Sequence, residues 1–145
     1  MITVRRMEKI EVEKVVDLEK NCFLEPWNAE MILDAVENTD YEFYVCTTEN
    51  EDIVGYFSML NGLFDTELLR IAVNERCRGN GYASKMMERL LEVSKERGAE
   101  KVLLEVRESN NKARSLYEKY GFKVCGKRPK YYGGVEDAVL YTLEL

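Results

Sequence analysis

The chain has 145 residues, of which 46% are hydrophobic and 33% charged, with a formal net charge of −6. That length suits one domain around one core, and no basic patch of the kind a nucleic-acid binder carries stands out. There is no histidine, which excludes Ser-His-Asp hydrolysis and His-ligated metal sites and leaves base chemistry to carboxylate, tyrosine, cysteine, lysine or water.

The opening stretch MITVRRMEKIEVEK has no apolar h-region before charges return, so a secretory leader is not expected and a cytoplasmic protein is. Ile2 to Arg6 reads as a short strand. Val12, Val15, Val16, Cys22 and Phe23 recur at helical spacing, with the stripe interrupted at Glu19. Pro26-Trp27 ends that helix, and Asn28 is placed to cap a second one running to about Val36. Tyr41–Thr47 and Ile53–Leu60 are β-rich and joined by a polar turn, the pattern of a hairpin. Glu67–Val73 is a further strand.

Ala83, Met86, Met87, Leu90 and Leu91 mark a helix ending near Gly98. Lys101–Val106 is apolar enough to predict a strand buried on both faces. Ala113, Leu116, Tyr117 and Tyr120 mark a helix stopped at Gly121, and Val124–Lys127 and Ala138–Leu143 read as a closing pair of strands. No apolar run approaches the roughly 18 residues a membrane span needs. The four cysteines, Cys22, Cys46, Cys77 and Cys125, show no CxxC pairing, so reduced thiols and no metal centre are expected.

The central order of strand, helix, strand, helix predicts a right-handed crossover that makes 67–73 and 101–106 parallel neighbours. Ligands in such sheets bind beyond the carboxyl ends of the parallel strands, here Val73 and Val106. The first of these ends runs into Asn74-Glu75-Arg76-Cys77-Arg78-Gly79-Asn80-Gly81 and then directly into a helix. Gly79 and Gly81 permit positive φ and close approach of a ligand. The free amides and dipole of the helix start favour an anion, and Arg76 and Arg78 add positive charge. These features suit a diphosphate, although an ordinary strand-to-helix turn uses glycines too. The spacing matches neither the P-loop nor the dinucleotide fingerprint.

Arg78-x-x-Gly81-x-Ala83 resembles the Q/R-x-x-G-x-G/A signature of the GNAT acetyltransferases. Arg76-x-x-Gly79-x-Gly81 fits two residues earlier, but the later register leaves Asn74–Cys77 as the four residues family members place between strand and signature. EPW at 25–27, IAV at 71–73, LEVRESNNKARSLYEKYGF at 104–122 and RPKYYGGVEDAVLYTLEL at 128–145 are similar to the RimI-type N-terminal acetyltransferases. The resemblance covers nearly the whole chain. It implies an α/β GNAT fold over residues 1–145: a mostly antiparallel sheet with one parallel pair, near 67–73 and 101–106, and helices on both faces. Relatives often carry proline at the position of Glu75, so a less rigid approach to the loop is expected.

Such an enzyme transfers acetyl from acetyl-CoA, without a metal, to the α-amine of a protein N-terminus, with a ribosomal-protein alanine as the expected acceptor. The rival readings are a GNAT enzyme acting on lysine, a polyamine or another small amine, and a non-catalytic acyl-CoA-binding module. The resemblance makes Glu105 the base and Tyr117 the acid that protonates the departing thiolate. Independently, Glu105 in so apolar a strand calls for a partner or a function, with apolar neighbours expected to raise its pKa, while Tyr117 alone reads as a core tyrosine. Glu67 is the rival base. Ile71, Ala72 and Val73 are expected to pair with the pantetheine arm and Val73 N–H to polarise the thioester. Arg78, Gly79, Asn80, Gly81, Tyr82, Ala83 and Ser84 are expected to hold the diphosphate. Asn110 is either a helix cap or a cofactor contact. Glu25 and Trp27 on one side, and Tyr131 and Tyr132 on the other, are the substrate-binding candidates, with Glu136-Asp137 placed to attract a following basic residue.

Overall fold

The computed structural model describes residues 1–145. The first apolar stripe folds as α1 (Val12–Cys22), burying Val12, Val15, Val16 and Leu18, and its polar interruption, Glu19, is fully buried too. Asn28 caps α2 (Ala29–Val36) by accepting the Met31 amide at 2.9 Å, a contact worth about 1 kcal/mol. The strands β1 (Thr3–Arg6), β2 (Tyr41–Thr47), β3 (Ile53–Asn61) and β4 (Asp65–Val73) form an antiparallel run. Then α3 (Tyr82–Glu96) crosses to β5 (Lys101–Arg107), and α4 (Asn111–Lys119) leads into the hairpin of β6 (Lys123–Tyr132) and β7 (Glu136–Glu144). The sheet order is β1-β2-β3-β4-β5-β7-β6, and β4 with β5 is its parallel pair. The hairpin strands outrun their apolar residues because register shifts near Gly126 and between Arg128 and Tyr132 carry the polar stretch along with the pairing.

Helices cover both faces. On one, Val15, Val16 and Ile32 from α1 and α2 meet Phe43, Val45, Tyr56 and Ala72. On the other, Met86, Met87 and Leu90 of α3 and Tyr117 of α4 meet Phe57, Met59, Leu68, Val102 and Leu104. Each fully buried large apolar side chain contributes about 1.5–3 kcal/mol. No helix is long and apolar enough to cross a membrane.

Two expectations change. The strand β5 is not buried on both faces: Val102, Leu104 and Val106 are buried, but Leu103 and Glu105 are only half-buried. The helix α1 packs on β3 and β4, and α2 on β2, so the Glu105 face of β5 lies beyond their cover. The parallel pairing is also shorter than predicted, joining only Asp65–Leu68 to Lys101–Leu104. Beyond it the strands part. The register on β3 passes from Met59 opposite Leu68 to Ser58 opposite Arg70, leaving Leu69 as a bulge. A bulge bends its strand and re-aims the side chains after it. Here Leu68 joins the α3–α4 core while Ala72 joins the α1–α2 core, although an unbroken strand keeps both on one face.

Candidate active site

The gap between the parting ends of β4 and β5 organises the site. The Asn74 amide donates to the Val54 carbonyl at 2.7 Å, with Val73 opposite Gly55 and Ala72 opposite Tyr56. Hydrogen-bonded pairs alternate along antiparallel strands, so Ile71 and Val73 turn their N–H and C=O groups away from β3 and into the gap. Two side chains meet the Val73 carbonyl there: Arg78 Nε donates at 3.1 Å and the Cys22 thiol at 3.5 Å.

The loop after β4 is tied down locally. Asn74 Oδ1 accepts the Arg76 amide at 3.0 Å and caps a 3-10 turn over Glu75–Cys77, which firms the approach that lacks a proline at Glu75. Asn80 Nδ2 donates to the Cys77 carbonyl at 2.9 Å. Gly79 and Gly81 have φ of +84° and +80°, the left-handed region that glycine enters without strain. A Cβ added at either meets nothing within 4 Å, so conformation requires these glycines and open space lies in front of them. Gly81 is the N-cap residue of α3, whose first amides and positive dipole end open onto the same region.

A cleft of about 560 Å³ follows the gap. Ile71, Ala72, Val73, Arg78, Gly79, Gly81, Tyr82, Ala83, Ser84, Asn110 and Tyr117 all line it. Asn80 does not; it braces the loop. The Arg78 guanidinium donates to the Val73 carbonyl through Nε and stands 3.7 Å from Cys22 Sγ at its other end. Asn110 Oδ1 accepts the Ala113 amide at 3.2 Å, so this residue caps α4 as well as lining the cleft. Sequence reasoning missed Cys22, Phe23, Cys77 and Lys112 as lining residues. Cys22 and Phe23 carried a signal, since they close the apolar stripe of α1; Lys112 looked like any surface lysine.

Tyr117 enters the cleft from α4. It is 5% exposed, with its ring tilted against Phe122 and Tyr141 at 5.9 and 6.0 Å. Burial pushes its phenol far above the ordinary value of 10.0, and interaction with Tyr132 and Tyr141 adds to this. It is a protonated donor at neutral pH.

Glu105, Glu25, Trp27, Tyr131 and Tyr132 do not line that cleft. Because Leu68 and Leu104 point toward α3 and α4, Glu67 and Glu105 point to the opposite face. Glu105 has a charged partner: Arg128 Nε lies 3.0 Å from its Oε1. Burial first, and then the charge of Glu105, raise the pKa of the Glu67 carboxyl. Tyr132 is also raised, by burial and then by Glu105. Its ring lies within electrostatic reach of both Glu105 and Tyr117. Tyr131 packs edge-on against Tyr132 at 5.1 Å, and the Arg107 guanidinium lies 4.4 Å from the Tyr132 ring. Glu136 and Asp137 both have partners within the chain. Glu136 accepts the Ser109 amide at 2.7 Å and pairs with Arg107 at 3.3 Å, while Asp137 accepts the Lys130 amide at 2.8 Å.

The segment between α1 and α2 closes this face. The Glu25 carbonyl accepts from Arg70 Nη2 at 2.9 Å, and the Trp27 ring lies 4.5 Å from the same guanidinium. The charge of Arg70 acts on Tyr132 as well. No group of three or more His, Cys, Asp or Glu side chains is arranged to hold a metal ion.

A mixed sheet that parts beside its one parallel pair, above a glycine-bearing helix start, defines a class of N-acetyltransferase, and the chain belongs to it: the acetyltransferase (GNAT) family model matches residues 12–122. Similarity narrows further within that family. The [ribosomal protein bS18]-alanine N-acetyltransferase of Haemophilus influenzae is 32% identical over 151 aligned positions that cover 100% of both chains. The crystal structure of the ribosomal-protein-S18-alanine N-acetyltransferase from Escherichia coli matches with a TM-score of 0.91 at 26% identity, covering 99% of this chain and 94% of that one. Ard1 from Thermoplasma volcanium matches with a TM-score of 0.91 at 27% identity, covering 99% and 97%.

Proposed function

We propose that this N-acetyltransferase moves the acetyl group of acetyl-CoA directly onto the α-amine of a protein N-terminus, with the alanine of a ribosomal protein as its acceptor. The observation that supports the reading is the parted β4–β5 pair, which frees the Ile71 and Val73 backbone on the side of the cleft that Tyr117 enters. The names of the relatives support the acceptor.

In this reading the amides from Gly79 to Ser84 hold the diphosphate at the start of α3. The pantetheine arm pairs with Ile71–Val73 as an added strand, with Asn110 beside it. The Val73 N–H polarises the thioester carbonyl and stabilises the oxyanion that forms there. The acceptor enters from the carboxylate face, between Glu25 and Trp27 on one side and Tyr131 and Tyr132 on the other. Glu105, held by Arg128, takes a proton from the ammonium directly or through a water. The freed amine attacks the carbonyl carbon to form the N–C bond and the oxyanion, whose collapse breaks the C–S bond while the nitrogen sheds its second proton to solvent, from which Tyr117 is later reprotonated. Tyr117 gives its proton to the departing CoA thiolate. A free α-amine has a pKa near 7.7–8.0 and lysine one near 10.4, so a modest base is enough for the first and poorly matched to the second.

The test pairs acetyl-CoA with peptides that begin with alanine, contain one lysine, and have either a free or a blocked N-terminus. Mass spectrometry should show acetyl on the free α-amine alone. Acetylation at lysine that persists on the blocked peptide contradicts the proposal.

A further inference from the structure

Glu19 is the only charged residue in the buried core. A buried carboxylate is costly unless paired and hydrogen-bonded, so its partners show what it supports. It accepts the Trp27 amide at 2.7 Å and the Tyr56 hydroxyl, and its Oε1 lies 3.5 Å from Arg70 Nη2. Arg70 is the first residue after the Leu69 bulge, which turns it onto the face that carries Glu67. Its guanidinium then meets the α1–α2 loop at three alternate positions. The Phe23 ring lies 4.2 Å away, the Glu25 carbonyl accepts at 2.9 Å, and the Trp27 ring lies 4.5 Å away.

We propose that Arg70 is a positioning residue for the acceptor. With Glu19 as its buried counter-charge it fixes the α1–α2 loop over the carboxylate face, and the loop in turn sets how the acceptor's first residue is admitted. The proposal rests on the reading of that face as the acceptor side. Arginine is the residue the geometry requires, because a planar guanidinium stacks on two rings while its fork reaches a carbonyl and a carboxylate; a lysine ammonium keeps the charge and loses that geometry.

Arg70→Lys is therefore the first test. The KM for an acceptor peptide should rise about tenfold, the loss expected from the ring stack and one charge-assisted hydrogen bond. The kcat and the KM for acetyl-CoA should stay within about twofold, the split that marks acceptor positioning. Trp27 is the only tryptophan, so acrylamide quenching of its fluorescence reads the loop directly and should increase. If the lysine variant does not fold, the double variant Glu19→Gln/Arg70→Met, which leaves no buried carboxylate unpaired, reports the same two quantities. Unchanged quenching with unchanged peptide KM in a folded variant overturns the proposal, as does an equal loss toward peptide and acetyl-CoA. If the wild-type enzyme acetylates no N-terminal peptide, the acceptor reading fails, and Trp27 quenching still decides whether Arg70 holds the loop.

Discussion

Replacing Gly81 by alanine separates conformation from ligand binding, because the chain supplies its own control. Gly81 sits at φ +80° and Gly98 at +84°, and a Cβ at either meets nothing within 4 Å. Neither substitution carries a clash, so the cost is that of the left-handed backbone, about 1–2 kcal/mol. Stiffening of the unfolded chain offsets about 0.4–1 kcal/mol of that. The net loss of about 1 kcal/mol lowers the melting temperature by about 2–4 °C for a chain of this size. Both variants should lose this much in thermal melts. They should differ in calorimetric titration with CoA. Gly98 lies past the C-terminal end of α3 and does not line the cleft, whereas Gly81 opens it. A methyl at Gly81 occupies the space before the first amides of α3, and a tenfold weaker affinity corresponds to about 1.4 kcal/mol. Gly81→Ala should weaken CoA binding by at least that and Gly98→Ala should leave it unchanged. Equal CoA affinity in the two variants would refute the assignment of the loop as the diphosphate seat.

Tyr117→Phe should lower kcat by about a hundredfold or more, the usual contribution of a placed general acid, while CoA still binds; an unchanged kcat removes Tyr117 from the chemistry. Glu67 bears on stability. Its folded-state pKa lies above the ordinary 4.5 because of burial and the charge of Glu105, so the folded protein keeps this proton to higher pH than the unfolded chain. The stability tied to it is full below the unfolded value and is lost as pH rises through the folded one. Glu67→Gln should flatten that decline in melting temperature above about pH 4.5, and an unchanged slope contradicts the assignment.

Local signals made most of the fold legible. The stripe of α1, the Asn28 cap and the crossover through α3 all follow from spacing and from residues with strong local preferences. The glycines at 79 and 81 announced their backbone conformation in the same way. What the sequence hid depends on distant partners. Glu19 read as a flaw in an apolar stripe, because Tyr56 and Arg70, which make its burial tolerable, come from β3 and β4. The Leu69 bulge has no residue signature in LLRIAV, yet it decides that Glu67 and Arg70 share a face. The run at 101–106 looked buried throughout because Leu103 is apolar, whereas only the alternate residues meet a helix. Arg128 stands beside Glu105 through the pairing of β6 with β7, which a polar stretch such as KRPKYY does not advertise.

Mass spectrometry of protein N-termini from cells with and without its gene decides whether this enzyme acetylates N-terminal amines. A small set of N-termini, a ribosomal protein beginning with alanine among them, should lose acetylation without the gene while lysine acetylation is unaffected. Unchanged N-termini, or a loss confined to lysine side chains, would contradict it.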